Sequence, residues 1–525
     1  MKVKKPAAKS LLSFAFATLL PFMAGIFCAL SMAPASWWPL LFAGFSLFYI
    51  TLAKAGSAGR AALSGFFFGL GYFLKGLWWI GNALLVEGND YAWVWPLAVM
   101  GLPTLLALFT SVAAALSRVT GDLKTISGFL VFCAVMALSE WVRGHIFTGF
   151  PWNLYAYAWS ENLPLLQTLS LTGPYGLTLL TIFWAALGGY LYVSPQSLNR
   201  KMLLTFSAVF LFIACFSFGS YRLHTSADES TNRNIALRVI QPNIRQDLKW
   251  LPDLQGLHFE KHLKLSAPSS GEGAPQASTT LIIWPETSVP PVIFESPAGR
   301  DKIKNMLSSY KGEVYLLAGV LRREKGESGQ TDYYNSIVLF DKKGRVRPLY
   351  DKTHLVPFGE YIPLQKWIPL RPVVEFTGFQ RGAGPQTIIE DSIPPFSGLV
   401  CYEIIFPGKV AGESETRPDW IVNLTNDAWY GISAGPYQHF DHARFRAVEE
   451  ALPVIRSANT GLSGVIDSYG RTLSVSTLNQ DNALQTLLPA ASGKATLYSQ
   501  TRDWPFLLFC GFILLAGFRR MFKHN

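Results

Sequence analysis

Long apolar runs fill the first 220 residues and recur near the C-terminus. A helix needs roughly 20 apolar residues to cross a membrane, and eight windows approach this length: 11–33, 37–53, 62–86, 91–117, 124–144, 166–193, 202–221 and 504–518. The first window follows three lysines, as the apolar region of a signal peptide would. It is longer than such a region, however, and Pro34 would follow the cleavage site. The pattern therefore predicts eight spanning helices.

The acidic residues divide the chain into three parts. Of the 35 Asp and Glu residues, none follows Asp503 and only five precede residue 224: Glu87, Asp90, Asp122, Glu140 and Glu161. We therefore expect transmembrane helices 1–7 within residues 1–223 and a soluble domain over 224–503. Residues 504–525 are expected to form transmembrane helix 8 and a tail.

Charge indicates the orientation of these parts. The chain is 50% hydrophobic and 15% charged, with a net charge of +10, and its basic residues cluster beside the apolar windows. Such clustering is typical of positive-inside topology and does not require nucleic acid as a partner. With eight spans, both termini are predicted to be cytoplasmic. The domain over 224–503 is then extracytoplasmic, which means periplasmic in a Gram-negative cell.

Within the predicted domain, short β-branched runs alternate with helical stretches. Amphipathic periodicity predicts helices over 252–265, 299–310 and 437–450. The runs between them predict strands, among them NIALRVIQPN, TTLIIWPE, EVYLLAGV, SGLVCYEI and DWIVNLTND. This alternation predicts an α/β layered fold with functional groups at strand ends. The Ser, Gly and Pro-rich stretch 266–278 is expected to be a loop.

One of the five cysteines differs from the others in its surroundings. Cys28, Cys133, Cys215 and Cys510 lie in apolar windows, where a thiol is most often a small apolar filler. Cys401 is the single cysteine of the predicted domain, so it has no partner for a disulfide within that domain. It is therefore either a buried bystander or a reagent.

Three strand ends carry the candidate chemistry. LIIWPETS carries Glu286, RPLYDKTHLVPFGEY carries Lys352 and Glu360, and GLVCYEIIFP carries Cys401 and Glu403. A cysteine nucleophile needs a base or a nearby cation, and the oxyanion that it creates needs donors. Each residue alone is more often structural, but together they provide what acyl transfer through a thioester requires.

The sequence WPET, YDKTHLVPFGEY and CYEIIFP resembles the nitrilase or carbon-nitrogen hydrolase superfamily, whose domain is an αββα sandwich. With eight spans around such a domain, the chain resembles the apolipoprotein N-acyltransferase family. SEWVRGHIFTGFPWNLYAYA, residues 139–158, is similar to the membrane-side signature of that family, and QPNIRQDLKW is similar to the segment that opens its catalytic domain.

This resemblance implies a role for each candidate residue. Glu286 would be the general base, Lys352 would stabilise the oxyanion, and Cys401 would carry the acyl group. The residues that would bind substrate or support the site are Trp250, Glu360, Tyr402 and Glu403, with the Tyr402 amide as a second oxyanion donor.

The resemblance also implies substrates and a location. The acyl donor would be a membrane phospholipid, preferentially phosphatidylethanolamine, and the acceptor would be the α-amino group of a diacylglyceryl-cysteine at an apolipoprotein N-terminus. No metal or other cofactor is expected. The chain would be a multi-pass protein of the bacterial inner (cytoplasmic) membrane.

Two other functions are compatible with the residues. A membrane-tethered nitrilase or amidase that hydrolyses a small amide would use the same three residues. A catalytically inactive module could instead bind or scaffold lipoproteins. An amidase needs one span rather than eight, and the complete set of three residues argues against an inactive module.

Several segments keep more than one interpretation. Residues 363–382 form either a lid at the bilayer surface or a loop packed on the spans. Residues 423–439 are expected to form a wall of the site, although Asp427 could cap a turn. Charged residues of the spans are expected to be paired or to contact headgroups: Lys75, Glu140 and Arg143. His354 and His439 are not expected to be catalytic.

Overall fold

The computed structural model describes residues 14–87, 91–225, 231–268, 277–325, 331–363, 379–412 and 414–521. The chain forms two compact units. Unit 1 comprises Met1–Gly81, Val94–His224 and Leu497–Asn525, and unit 2 comprises Asn82–Trp93 and Thr225–Thr496. Residues 364–378, which hold most of the proposed lid, and residues 269–276 of the predicted loop lie outside the described residues.

Helices lie in every apolar window and in each predicted amphipathic stretch. In chain order, the described α-helices are α1 Leu19–Ala29, α2 Pro39–Ala53, α3 Ala58–Leu77, α4 Trp95–Val119, α5 Ile126–His145, α6 Leu163–Leu166, α7 Leu169–Val193, α8 Leu198–Thr225, α9 Pro252–Ser266, α10 Pro291–Glu295, α11 Pro297–Ser308, α12 Gly435–Glu450, α13 Leu497–Thr501 and α14 Trp504–Met521.

Unit 1 consists of apolar helices. In the described residues, four segments are both long enough and apolar enough to cross a membrane: Ala92–Val119, Ile126–His145, Leu169–Val193 and Leu198–Thr225. Three further helices are apolar but shorter: Phe14–Ala29, Pro39–Ala53 and Trp504–Gly517. The window 62–86 is split between α3 and a 3₁₀ helix, Trp78–Leu85. The count of eight spans and their orientation therefore stay predictions.

The charged residues predicted within or near the spans differ in their burial and in their partners. Arg143 is buried in α5, where its Nη2 donates to Glu140 Oε2 and its Nη1 donates to the carbonyl of Trp152, at 3.0 Å. Glu140 is fully buried as well. Of the two interpretations offered by the sequence, the contacts favour pairing for Arg143 over contact with headgroups. Lys75 is exposed in the last turn of α3.

Unit 2 contains two six-stranded sheets within the residues that the structure describes. The strands are β1 Thr231–Gln241, β2 Thr279–Ile283, β3 Glu313–Lys325, β4 Thr331–Asp341, β5 Val346–Asp351, β6 Thr387–Glu390, β7 Ile393–Val400, β8 Trp420–Thr425, β9 Val454–Ala458, β10 Gly464–Ile466, β11 Thr472–Val475 and β12 Asn482–Pro489. The first sheet has the order β12-β1-β2-β3-β4-β5, and the second has the order β11-β10-β9-β8-β7-β6.

Each sheet has a parallel centre and antiparallel edges. β1, β2 and β3 run parallel in the first sheet, and β7, β8 and β9 run parallel in the second. The carboxyl ends of parallel neighbours meet at one edge of a sheet, where functional side chains commonly collect. Glu286 follows β2 and Cys401 follows β7, so each lies beyond a carboxyl end in its own sheet.

The core of unit 2 lies between the two sheets. Side chains such as Leu281 and Ile283 from the first sheet pack in one cluster with Trp420 and Val422 from the second. The outer face of the first sheet packs against α9 and α11 through Phe259, Ile303 and Leu307. On the second sheet, α12 is buried at every residue except Tyr437 and contacts β9 and β10. The domain is therefore the αββα sandwich that the sequence resemblance implied.

We expect the buried pair in α5 to contribute to stability as a unit. Glu140→Ala should lower the free energy of unfolding by about 3–5 kcal/mol, because it leaves the Arg143 charge buried without its partner. The double variant Glu140→Ala/Arg143→Met should cost less than Glu140→Ala alone. Thermal unfolding in detergent micelles measures both, and equal costs for the single and double variants would contradict a paired role.

Candidate active site

The nucleophile candidate lies at a strained turn. β7 ends at Val400, and Cys401 opens a 3₁₀ helix, Cys401–Ile405. Cys401 has a φ of +52°, in the left-handed region that residues other than glycine rarely adopt. Its carbonyl oxygen lies 3.4 Å from Asn423 Nδ2 and 3.3 Å from His439 Nε2. These two contacts hold the backbone of Cys401 in its unusual conformation.

The second candidate, Glu286, lies just beyond β2 and is also buried. Asn335 Nδ2 donates a hydrogen bond to Glu286 Oε1 over 2.7 Å. Asn335 comes from β4 and is buried. One amide therefore fixes the orientation of the Glu286 carboxylate.

The turn that carries Glu286 approaches β3 closely at Gly319. A Cβ atom at this glycine would lie 2.4 Å from the carbonyl oxygen of Pro285 and 2.6 Å from the Cα atom of Glu286. Ser288 N donates to the Gly319 carbonyl over 2.8 Å, which ties the turn to the strand. The lack of a side chain at residue 319 is therefore a requirement for the position of Glu286.

Lys352 follows β5 and is buried between two carboxylates. Its Nζ lies 2.8 Å from Glu360 Oε1 and 3.7 Å from Glu286 Oε1. Glu360 Oε2 accepts a hydrogen bond from Val356 N over 2.8 Å. Burial alone would lower the pKa of Lys352, but the charges of Glu360 and Glu286 outweigh it and raise that pKa. Lys352 therefore remains a cation at neutral pH.

The electrostatic environment of Cys401 keeps its thiol protonated at rest. Burial raises the pKa of Cys401, and the negative charge of Glu286 raises it further, while Lys352 acts in the opposite direction. A thiol of this kind becomes a nucleophile when a neighbouring base removes its proton as the reaction proceeds. The structure therefore brings Cys401 under the influence of both Glu286 and Lys352.

Glu403 links the two catalytic loops. Its Oε1 accepts hydrogen bonds from the Tyr350 hydroxyl, Thr353 N and His354 N, over 2.7, 2.8 and 2.9 Å. Its Oε2 accepts from Val400 N over 2.8 Å. β5 belongs to the first sheet and β7 to the second. Glu403 therefore supports the site by joining the loop of Lys352 to the turn of Cys401.

A buried charged network lies against the Cys401 turn. Asp427 Oδ2 is 2.7 Å from Arg456 Nη2, and Asp427 Oδ1 is 2.8 Å from His439 Nδ1. Burial would raise the pKa of Asp427, but the charge of Arg456 outweighs it and, with His439, lowers that pKa. His439 in turn reaches the carbonyl of Cys401. Asp427 is therefore part of an ion network rather than a simple turn cap.

The remaining predicted residues lie at the edges of this arrangement. Tyr402 is buried, with its ring 5.6 Å from the His354 ring and 5.1 Å from the Phe406 ring. Trp250 is partly exposed, and its ring centre lies 5.5 Å from Lys249 Nζ. Trp250 stays a prediction as a substrate-side residue, and Tyr402 stays a prediction as a site-supporting residue whose amide donates to the oxyanion. Within the described residues, no group of three or more His, Cys, Asp or Glu side chains is arranged to hold a metal.

Sequence reasoning missed three polar residues that shape the site: Lys249, Asn335 and Arg456. Asn335 and Arg456 interrupt the apolar strands YYNSIVLFD and LPVIRSANTG. A polar side chain inside a strand that is buried on both faces needs a hydrogen-bonding partner. Their position within apolar runs was therefore the signal that could have identified Asn335 and Arg456. Lys249 had no such signal, because it lies in a polar stretch directly before Trp250.

We expect His439→Ala to weaken the reactivity of Cys401. Loss of the contact to the Cys401 carbonyl removes about 0.5–1.5 kcal/mol of support, and the turn can then relax away from Glu286. Alkylation of Cys401 by iodoacetamide, followed by peptide mass spectrometry, should slow several-fold, up to about tenfold. The control is Tyr437→Ala, at a partly exposed position of the same helix. Equal rates in the two variants would contradict the inferred support.

Two family models match this chain. The apolipoprotein N-acyltransferase N-terminal domain matches residues 24–187, and the carbon-nitrogen hydrolase model matches residues 236–491. An amidase from Nesterenkonia sp., a solved structure, aligns over 54% of this chain and 99% of its own, at 17% identity and a TM-score of 0.33.

Curated relatives match along almost the whole length. The apolipoprotein N-acyltransferase of Bradyrhizobium diazoefficiens is 40% identical over 97% of this chain and 96% of its own. That of Rhodopseudomonas palustris is 37% identical over 94% of this chain and 93% of its own. These matches, with the apolar helices of unit 1, show that the chain is a membrane protein of the apolipoprotein N-acyltransferase family.

Proposed function

We propose that this protein transfers an acyl chain from a membrane phospholipid to the α-amino group of the N-terminal diacylglyceryl-cysteine of apolipoproteins, through a thioester on Cys401. The observation that carries this proposal is the meeting of Glu286, Lys352 and Glu360 beside the buried Cys401. The membership of the family supports the same activity. The reaction would be the last step of bacterial lipoprotein maturation.

The assignment of the base follows from the hydrogen bonds. Lys352 keeps its proton because of the charges of Glu360 and Glu286. Both oxygens of Glu360 accept donors, from Lys352 and Val356. Glu286 is held through Oε1 by Asn335 and lies near Cys401. We therefore assign the proton transfer to Glu286.

The first half of the reaction forms the acyl-enzyme. Glu286 takes the Cys401 proton while Sγ attacks the ester carbonyl of the phospholipid. The Lys352 ammonium and the Tyr402 amide stabilise the tetrahedral oxyanion. The C–O ester bond then breaks, the lysophospholipid oxygen takes the proton from Glu286, and the thioester remains on Cys401.

The second half transfers the acyl chain to the lipoprotein. The α-amino group attacks the thioester carbonyl, and Glu286 accepts a proton from the nitrogen. Breaking the C–S bond yields the amide, and Glu286 gives its proton to the leaving thiolate of Cys401. The two halves share one set of residues and follow each other without both substrates bound, as in a ping-pong mechanism.

The finer features of the proposal rest on sequence. Phosphatidylethanolamine as donor is implied by the resemblance alone. The positive-inside distribution of basic residues supports an inner-membrane protein with eight spans, cytoplasmic termini and a periplasmic catalytic domain. The tethered-amidase alternative has less support, because the relatives that match nearly the whole chain are named acyltransferases.

Acyl transfer to Cys401 should be visible directly. In vesicles that contain phosphatidylethanolamine labelled in its sn-1 chain, the protein should acquire label that hydroxylamine removes. Cys401→Ala should lose this label because the variant has no thiol at the reacting position. Cys215→Ala, which removes a half-buried cysteine of α8, is the matched control and should stay labelled.

Two results would contradict the proposal. One is hydroxylamine-sensitive label that persists in Cys401→Ala, and the other is wild-type protein that acquires none. In cells depleted of their own acyltransferase, wild type should restore triacylated lipoprotein N-termini, measured by mass spectrometry, and Cys401→Ala should not.

A further inference from the structure

Lys249 is a buried lysine that directly contacts the turn of the proposed general base. It is 8% exposed. Its Nζ donates to the main-chain carbonyl of Glu286 over 3.0 Å and to Oγ1 of Thr287 over 2.7 Å. Lys249 therefore holds both residues of this turn through one ammonium group.

The turn requires such support because its backbone is strained. Thr287 has a φ of +47°, in the left-handed region, which costs a β-branched residue about 1–3 kcal/mol. Cys401 shows the same feature at the other strand end, and there Asn423 and His439 contact its carbonyl. Lys249 thus supports the strained backbone of the Glu286 turn, as Asn423 and His439 support that of the Cys401 turn.

Lys249 also differs from Lys352 in its protonation. Burial lowers the pKa of Lys249 to about 8, although the charges of Glu286 and Cys401 oppose this shift. The titratable groups that face it from α9 are His258 and His262. Burial lowers the pKa of both, that of His262 to about 3, so they are uncharged near pH 8. Of Lys249, His258 and His262, Lys249 is thus the residue whose charge changes just above neutral pH.

The charge of Lys249 strengthens its contacts with this turn. Its ammonium donates to the Glu286 carbonyl and to Thr287 Oγ1. Hydrogen bonds from a charged donor are roughly twice as strong as those from a neutral donor. Loss of the charge therefore weakens the hold of Lys249 on the turn.

We propose that Lys249 is a positioning residue for Glu286, whose ammonium holds the Glu286–Thr287 turn and thereby keeps the carboxylate in place to take the Cys401 proton. This inference rests on the proposed function, because it takes Glu286 as the base. Lys249 also lines a small cavity with Glu286, Trp250, His258 and His262. The cavity places the positioning residue beside the tryptophan predicted to face the substrate.

The sign of the pH effect follows from the charge of Lys249. Below pH 8 the group is an ammonium, and the acylation of Cys401 has its full support. As the pH rises through about 8, the charge disappears and acylation should slow. The first half-reaction isolates this effect, because the acceptor amine, which must be deprotonated to react, takes no part in it.

The test is single-turnover labelling of Cys401 by the labelled phospholipid across the pH range in wild type, Lys249→Met and Lys249→Arg. Lys249→Met should be slower by about tenfold or more at pH 7 and should show no decline near pH 8. Lys249→Arg keeps a cation to a higher pH and should move the decline upward. The control is Lys261→Met, which removes a partly exposed lysine of α9 that pairs with Asp481.

The possible outcomes separate this inference from the proposed function. A wild type without label would overturn the function itself. A labelled wild type with a Lys249→Met variant that matches Lys261→Met in rate and pH profile would overturn the inference alone. A Lys249→Met variant that is slower at every pH but keeps the decline near pH 8 would also overturn the inference. The lost contact would then be only structural, and the decline would not come from the charge of Lys249. If Lys249→Met unfolds, the profile of Lys249→Arg decides.

Discussion

The ion pair between Lys352 and Glu360 is the interaction on which the rest of the site depends. Burial alone would lower the pKa of Lys352, and the charge of Glu360 counters this effect and keeps Lys352 protonated. The ion pair also occupies Glu360, so that in the proposed mechanism only Glu286, of the two carboxylates near Lys352, is left to exchange a proton with Cys401. One salt bridge would thereby give different roles to two similar side chains, with Glu360 as structure and Glu286 as reagent.

The pattern of apolar runs predicted an α/β layered domain and the three loops of the site for a simple physical reason, while the αββα arrangement was implied by the family resemblance. Glu286, Lys352 and Cys401 each come directly after an apolar run, and such runs form strands that end at the edges of the two sheets. The local pattern therefore locates these residues. The bounds of the amphipathic helices also agree with α9, α11 and α12 to within two residues.

The contacts between these loops could not be predicted in the same way. Asn335 contacts Glu286, which lies 49 residues before it in the chain, and no local pattern spans that separation. Arg456 and Asp427 are likewise 29 residues apart. Hydropathy has a similar limit in the apolar windows. It cannot show that Arg143 pairs with Glu140. It also cannot show that the stretch 62–86 changes from an α-helix to a 3₁₀ helix at Trp78.

Glu403 has a mechanical consequence for the domain. Its carboxylate receives donors from the loop after β5 and from the end of β7, so it fastens the two layers of the sandwich together at the edge where the reaction takes place. The layers cannot slide or separate there without breaking several charge-assisted hydrogen bonds. A hydrocarbon chain that reaches the thiol would therefore have to enter without parting the two loops that Glu403 joins, those of Lys352 and Cys401.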